Sequence, residues 1–319
     1  MMPFIITLMA TRRKKDHGII TDIAKNPVSY LLVLPAFIYI LLFGYLTLPY
    51  MVMAFQNYNF TTGLLHSPFV GLKNFEFFFR SNRVSLVTFN TIYLNTLFIV
   101  SGTLVSIILA LMFNEIRQRY FLKITQAMML FPNFLSWIIV SYIVFALLST
   151  EYGWLYSIIK FFGGKPVSMY SSASYWPMIL VLIRLWKGMG INSVIYMATI
   201  TGIDEGLYEA ARIDGASKLQ EIRYITIPHL VPTICILTLL SIGKIFYGDF
   251  QMIYSLVRDN GILMATTDVI DTFVFRALRQ TGDPAGAMAV GIYQAAVGFV
   301  LVYGSNRLVK KFFPDGAIF

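Results

Sequence analysis

Six long apolar runs separated by short polar stretches organise this chain; they fall near residues 30–55, 91–113, 126–148, 176–201, 229–256 and 285–306. Crossing about 30 Å of hydrocarbon as an α-helix takes about 20 residues, and each run supplies them. The pattern predicts an all-α, polytopic integral membrane protein with six transmembrane helices. The first and fifth runs are longer than a perpendicular span needs, so each is expected to tilt or protrude. A membrane domain over 29–306 would then be flanked by a cytoplasmic or interfacial arm, 1–28, and a cytoplasmic tail, 307–319.

The polar stretch 204–228 is patterned enough to predict structure of its own. Asp204 is a good N-cap for a short helix that places Leu207, Ala210 and Ala211 on one side. Gly215 can adopt the left-handed conformation that ends it, and Ser217 followed by Gln220 reads as a capping box starting a second short helix at nearly a right angle. Pro228 and Pro232 punctuate entry to the fifth run. On the other side of the membrane, Phe75, Phe77, Phe78 and Phe79 make the first loop aromatic enough to lie partly in the interface. In the third such loop, Val269, Ile270, Phe273, Val274, Ala277 and Leu278 alternate at helical spacing with Asp268, Asp271, Arg276 and Arg279, which predicts an amphipathic surface helix. These pieces either cap the bundle or meet a docking protein.

Composition agrees with a bilayer: 57% of residues are hydrophobic, 13% are charged and the mean hydropathy is +0.68. The net charge of +9 would suggest nucleic acid in a soluble protein. Here lysine and arginine gather at the ends of apolar runs. With the amino terminus inside, segments 1–28, 114–124, 202–228 and 307–319 carry 14 in 79 residues, against 8 in 92 for 56–90, 149–175 and 257–286. The denser side is the cytoplasmic one, which puts both termini and the 204–228 hairpin there. Residues 3–10 precede Arg12, Arg13, Lys14 and Lys15, the reverse of a signal peptide's order. The single Cys235 excludes an intrachain disulfide and reads as small packing filler.

Catalytic patterns are missing. There is no phosphate-cradling Walker A loop, and His17, His66 and His229 sit in separate segments without metal-ligand spacing. The chain is therefore read as non-catalytic, with no bound cofactor and no metal. The informative charges are those within spans: Arg184 and Lys187 share a face of the fourth, while Lys244 and Asp249 lie in the fifth, about 140° apart around a helix. A charge at mid-membrane costs roughly 2.5–3.5 kcal/mol, so each calls for a partner or water. Arg184, Lys187 and Asp249, with Trp137, Trp186 and Tyr247, are candidates to line a polar translocation path. Structural ion pairs and packed aromatic rings are the alternative.

The hairpin also carries a resemblance. Glu209, Ala210, Ala211, Gly215, Ile225 and Pro228 match the EAA loop, E-A-A-x3-G-x9-I-x-L-P, of ABC importer permeases, with Ile227 where leucine is usual. Asp214, Gly215 and Ala216 extend the match to the D-G-A of sugar-importer permeases. Asn95-Thr96, Phe131-Pro132 and Trp186-Lys187 are similar to further features of that group, and the likeness covers most of 30–306. It is nearest to permeases for complex or acidic oligosaccharides, similar to the alginate and rhamnogalacturonan importers. The resemblance implies a type I importer (MetI-like) fold in a prokaryotic plasma membrane, and uptake of a sugar by alternating access. It also implies a second homologous permease in a heterodimer, an external solute-binding protein, and two ATPase subunits that hold ATP and Mg. Glu209 would contact the ATPase surface, and Ala210, Ala211 and Gly215 would let the short helix enter an ATPase groove. An ion-coupled secondary transporter or channel is the rival reading; Asp249 as the lone acid placed within a span leaves it little to relay protons with.

Overall fold

The computed structural model of the protein describes residues 22–23, 25–149, 153–164 and 168–312. The arm expected over 1–28 and the tail over 307–319 lie largely outside them. Among the described residues the chain is helical throughout, with one isolated β-bridge, Gln56 to Phe69. Five helices are long and apolar enough to cross a membrane, and a bent pair makes a sixth span.

Two compact units are distinguished, residues 1–52 and 53–319. The first holds helix α1, Pro27–Ile40, which continues as a π turn over Leu41–Tyr45. Pro27 suits a first turn, where its missing N–H would be unpaired anyway. The Tyr30 hydroxyl donates to the Asp22 carboxylate at 2.7 Å.

In the second unit, α2 (Lys73–Phe79) precedes the long α3 (Val84–Asn114), α4 (Arg119–Leu130) and α5 (Trp137–Leu148). After them come α6 (Trp176–Thr201), the short α7 (Glu205–Ile213), α8 (Ile227–Ile242), α9 (Phe250–Val257), α10 (Ile270–Thr281) and α11 (Pro284–Phe312). The last extends the sixth span beyond residue 306. Helices α3 and α6 pack along one another as the central pair. One buried cluster joins Leu94 and Phe98 of α3 to Val140 of α5, Leu180 of α6 and Met252 of α9; another joins Ala110 of α3 to Tyr196 and Ile200 of α6 and Leu230 of α8. At Gly190 a side chain would collide with the Met129 carbonyl, so glycine is what lets α6 cross the end of α4 so closely.

Two of the expected spans are not continuous helices. In the third, α4 passes into a 3-10 turn, Phe131–Phe134, and α5 restarts 98° away. Pro132 lacks the N–H that a continuing helix needs, and Ser136 caps the restart by accepting from the Ile139 N–H at 3.3 Å. The fifth run, read as one helix over 229–256, stops at Ile242; residues 243–249 turn, and α9 begins after Asp249. Open backbone at this depth is tolerable only if its polar groups find protein partners. They do. Asn95 of α3 donates to the Ile245 and Tyr247 carbonyls at 2.9 and 3.0 Å, and Gln294 of α11 donates to the Phe246 carbonyl at 2.7 Å. The Asp271 carboxylate of α10 accepts the Gly248 N–H. Asn95→Leu, similar in size but without a donor, strands two carbonyls. The expected cost is about 2 kcal/mol or more, at about 1–3 kcal/mol per unpaired group, and it is read as a lower unfolding midpoint of the purified protein.

The helix expected on the surface of the third loop is present as α10, but its acids point inward. Asp268 is buried and accepts Arg276 and the Thr272 hydroxyl, while Asp271 bonds Gly248 and Gln294. Burial pushes the Asp271 carboxyl above the usual carboxylate range, and the Gly248 N–H works against that rise. Period-3.6 spacing located the helix, yet charge alone could not show that its polar side meets an open backbone. The aromatic first loop also caps the bundle: Phe78 is buried against Phe273 of α10 and Tyr293 of α11.

Candidate functional site

Two sites stand out in the second unit, whose two ends are marked by contacts of α3. Asn90, near the start of α3, donates to the Asp268 carbonyl at 3.1 Å, whereas Glu115, just past the end of α3, pairs with Lys218 at 3.0 Å. The 25 residues between them span about 38 Å of helix. The 204–228 hairpin therefore lies at the opposite end from the 258–269 loop.

At the hairpin end, Asp204 caps α7 by accepting from the Gly206 N–H at 3.0 Å. Gly215 has φ +80, and the two N–H groups around it close the helix: Gly215 onto the Arg212 carbonyl at 3.1 Å and Ala216 onto the Ala211 carbonyl at 2.9 Å. Gln220 reaches back to accept the Ser217 N–H at 2.7 Å, the expected half of a capping box. The second short helix does not stand alone, however. Lys218–Glu221 runs through a π turn, Ile222–Thr226, directly into α8. Pro228 has no N–H for the Tyr224 carbonyl, and the ladder slips so that the Ile227 N–H bonds the Ile222 carbonyl instead.

A buried carboxylate that the sequence reading did not single out braces this hairpin. Glu221, 3% exposed, accepts Arg212 of α7 at 2.9 Å and Lys218 at 3.2 Å, and Lys218 also reaches Glu115. The Tyr208 hydroxyl meets the Thr226 hydroxyl at 2.9 Å. The inward side of α7 is thus tied down, while Glu209, Ala210, Asp214 and Gly215 are exposed. Ile213 and Leu219 stand out beside them at 87% and 75% exposure, an apolar edge that no described residue covers. Ala211, Ala216 and Ile225 are half-buried and Pro228 is exposed.

The second site is a cavity of about 570 Å³ between α3, α6 and the two broken spans. Five of the six path candidates line it: Trp137, Arg184, Lys187, Tyr247 and Asp249. Trp186 does not, because it leaves α6 on another side from its neighbours. Each α6 cation fastens one break. The Arg184 guanidinium donates to Asp249 at 2.7 Å and lies 4.7 Å from the Phe98 ring centre. Asp249 is no mid-span residue: it caps α9, accepting from the Met252 N–H at 3.1 Å. Lys187 donates to the Asn133 carbonyl at 2.8 Å and sits 5.2 Å from the Trp137 ring. Arg184 and Asp249 thus form a structural ion pair that is also part of the cavity wall. Asn95, Asn133, Asn192, Ser101 and Lys244 add polar groups that sequence reading did not place there. In the sequence Lys244 shows only as an in-span charge and Asn95 only as part of the Asn95-Thr96 likeness, while Asn133 and Asn192 carry no signal of a cavity.

Among the described residues no group of acidic, histidine or cysteine side chains could hold a metal ion. The cavity's size and its mixture of rings and polar groups suit a small-molecule path.

Residues 102–313 match the family model described as binding-protein-dependent transport system inner membrane component. The chain is 35% identical to the polygalacturonan/rhamnogalacturonan transport system permease protein YteP of Bacillus subtilis, over 96% of this chain and 94% of that one. It is 30% identical to Protein LplB of the same organism, over 90% of each. Among solved structures it is similar to the crystal structure of a bacterial ABC transporter involved in the import of the acidic polysaccharide alginate. There the TM-score is 0.82 and the identity 30%, over 92% of this chain and 98% of that one. These likenesses give no support to an ion-coupled secondary transporter or channel. With six apolar spans, an EAA-type hairpin and a cavity between broken helices, the chain belongs to the binding-protein-dependent transport system inner membrane components, as a permease subunit of an ABC importer.

Proposed function

We propose that this permease carries an acidic oligosaccharide into a prokaryotic cell, with the cavity beside α6 as its half of the path. The observation that carries this reading is the cavity's charge: Arg184, Lys187 and Lys244 face it with Asp249 as the lone carboxylate, beside the rings of Phe98, Trp137 and Tyr247. Ring faces suit the apolar faces of sugars, and cations suit uronate carboxylates. The named cargoes of the relatives, polygalacturonan or rhamnogalacturonan and alginate, point the same way.

The hairpin is the coupling element in this reading. Glu209 meets a basic ATPase surface, Ala210, Ala211 and Gly215 allow close entry into its groove, and Asp214, Ala216, Ile225 and Pro228 hold the turn in shape. The partners are a second, homologous permease in a heterodimer, two ATPase subunits holding ATP and Mg, and an external solute-binding protein. One related structure is described as a complex with an alginate pentasaccharide-bound periplasmic protein. The lysine and arginine density supports cytoplasmic termini and a cytoplasmic hairpin. ATP-driven closure of the ATPases rocks the bundle between inward-open and outward-open states.

Affinity purification through a tag on this chain should recover an ATPase and a second permease. Vesicles holding that complex should take up a labelled oligouronate only with the binding protein outside and ATP with Mg²⁺ on the hairpin side. Uptake driven by an ion gradient without ATP would overturn the reading.

A further inference from the structure

Four charged side chains line the cavity, and three are committed to the fold. Asp249 and Arg184 hold each other, and Asp249 also caps α9. Lys187 gives its ammonium to the Asn133 carbonyl. Lys244 is different: it is exposed, lines the cavity, and its ammonium makes no hydrogen bond or ion pair with any described residue.

We propose that Lys244 is the specificity-determining residue of this path, the cation that binds the carboxylate of an acidic sugar unit as it passes; the proposal rests on the acidic-cargo reading above. A mid-membrane ammonium with no partner among the described residues of this chain is an unfavourable choice for structure, where a methionine would serve better. Its placement is also fixed. Lys244 stands on the open turn of 243–249, whose backbone is held by Asn95, Gln294 and Asp271, so the ammonium swings from an anchored point. Three cations against one carboxylate leave an excess of two positive charges in the lining, and Lys244 carries the one that no carboxylate or carbonyl already engages. Flexible and compact, an ammonium can follow a carboxylate without gripping it in a fixed fork, which suits passage rather than retention.

The test is uptake by cells whose entry route is the intact transporter. The probes are a labelled trigalacturonate or trimannuronate and the same trimer with its carboxyls reduced to alcohols. Everything upstream of this chain is shared by all variants, so a changed acid-to-neutral ratio reports on the permease. Lys244→Met should lower uptake of the acidic trimer about ten-fold or more, through a higher apparent KM, and leave the reduced trimer's uptake unchanged or raised. Lys244→Arg should keep most of the acidic uptake. Equal loss for both trimers, wild-type handling of the acidic trimer, or Lys244→Met absent from the membrane would each overturn the assignment, since a side chain without partners has no structural contribution to lose. A wild-type transporter that imports neither acidic trimer, or that favours the reduced one, would instead remove the acidic-cargo reading and Lys244's role with it.

Discussion

Gly215→Pro is expected to leave the spans in the membrane while cutting the proposed link between the 204–228 hairpin and an ATPase subunit. Proline fixes φ near −65°, whereas Gly215 sits at +80, so no local adjustment accommodates it. It also removes the N–H that closes α7 onto the Arg212 carbonyl. Together these cost about 3 kcal/mol or more in a nine-residue helix whose other anchor on that side is the Glu221 carboxylate. No neighbour lies within 4 Å of a Cβ at this position, so Gly215→Ala meets only the backbone cost of a left-handed alanine, about 1–2 kcal/mol. The expected order of cargo-stimulated ATP hydrolysis in the purified complex is therefore wild type, then Gly215→Ala, then Gly215→Pro near the unstimulated rate. Equal stimulation in all three would rule out the hairpin as the coupling joint.

The brace beneath the hairpin bears on how such a joint works. Glu221 links α7 to the start of α8, and Lys218 extends that link to Glu115 at the end of α3. Helix α3 packs along α6 and lines the cavity. In the proposed coupling, a push on α7 would reach both the cavity wall and the broken fifth span through these charged contacts and packed helices.

The spans were legible because apolar length is a strong signal, and the hairpin because its capping chemistry is local: Asp204, Gly215 and Gln220 do what their residue types imply. The breaks are not legible from hydropathy, although their signals stand in the chain. Gly243, Gly248 and Asp249 are stop and start residues of the kind used to place the hairpin, and Pro132 with Ser136 forms another such set. Hydropathy masks them, since a window of apolar residues looks the same whether the helix continues or is held open by side chains from elsewhere. Asn95, Gln294 and Asp271 lie 23 to 152 residues along the chain from the backbone groups they hold, and no periodicity connects them to residues 245–248. The inward turn of the α10 acids was hidden for the same reason.

Asp249→Ala should be the most damaging single change in the cavity, because one carboxylate serves two purposes. Losing the cap on α9 costs about 1 kcal/mol. Leaving Arg184 without its partner would cost about 3–5 kcal/mol in a dry interior. Here the pair is 39% and 26% exposed, so water in the cavity reduces that to about 1–3 kcal/mol. Asp249→Asn separates the two contributions, since its amide oxygen can still accept the Met252 N–H while the charge is gone. Unfolding midpoints should then rank wild type, Asp249→Asn, Asp249→Ala. Arg184→Met on top of Asp249→Asn should recover part of the loss, because the stranded guanidinium is removed with it; additive losses would show that the two side chains are not coupled. Transport should fall with Asp249→Asn by more than stability alone explains, since the freed Arg184 can now hold an acidic cargo that ought to pass. That outcome appears as a lower maximal rate with an equal or lower apparent KM, and a higher KM would contradict it.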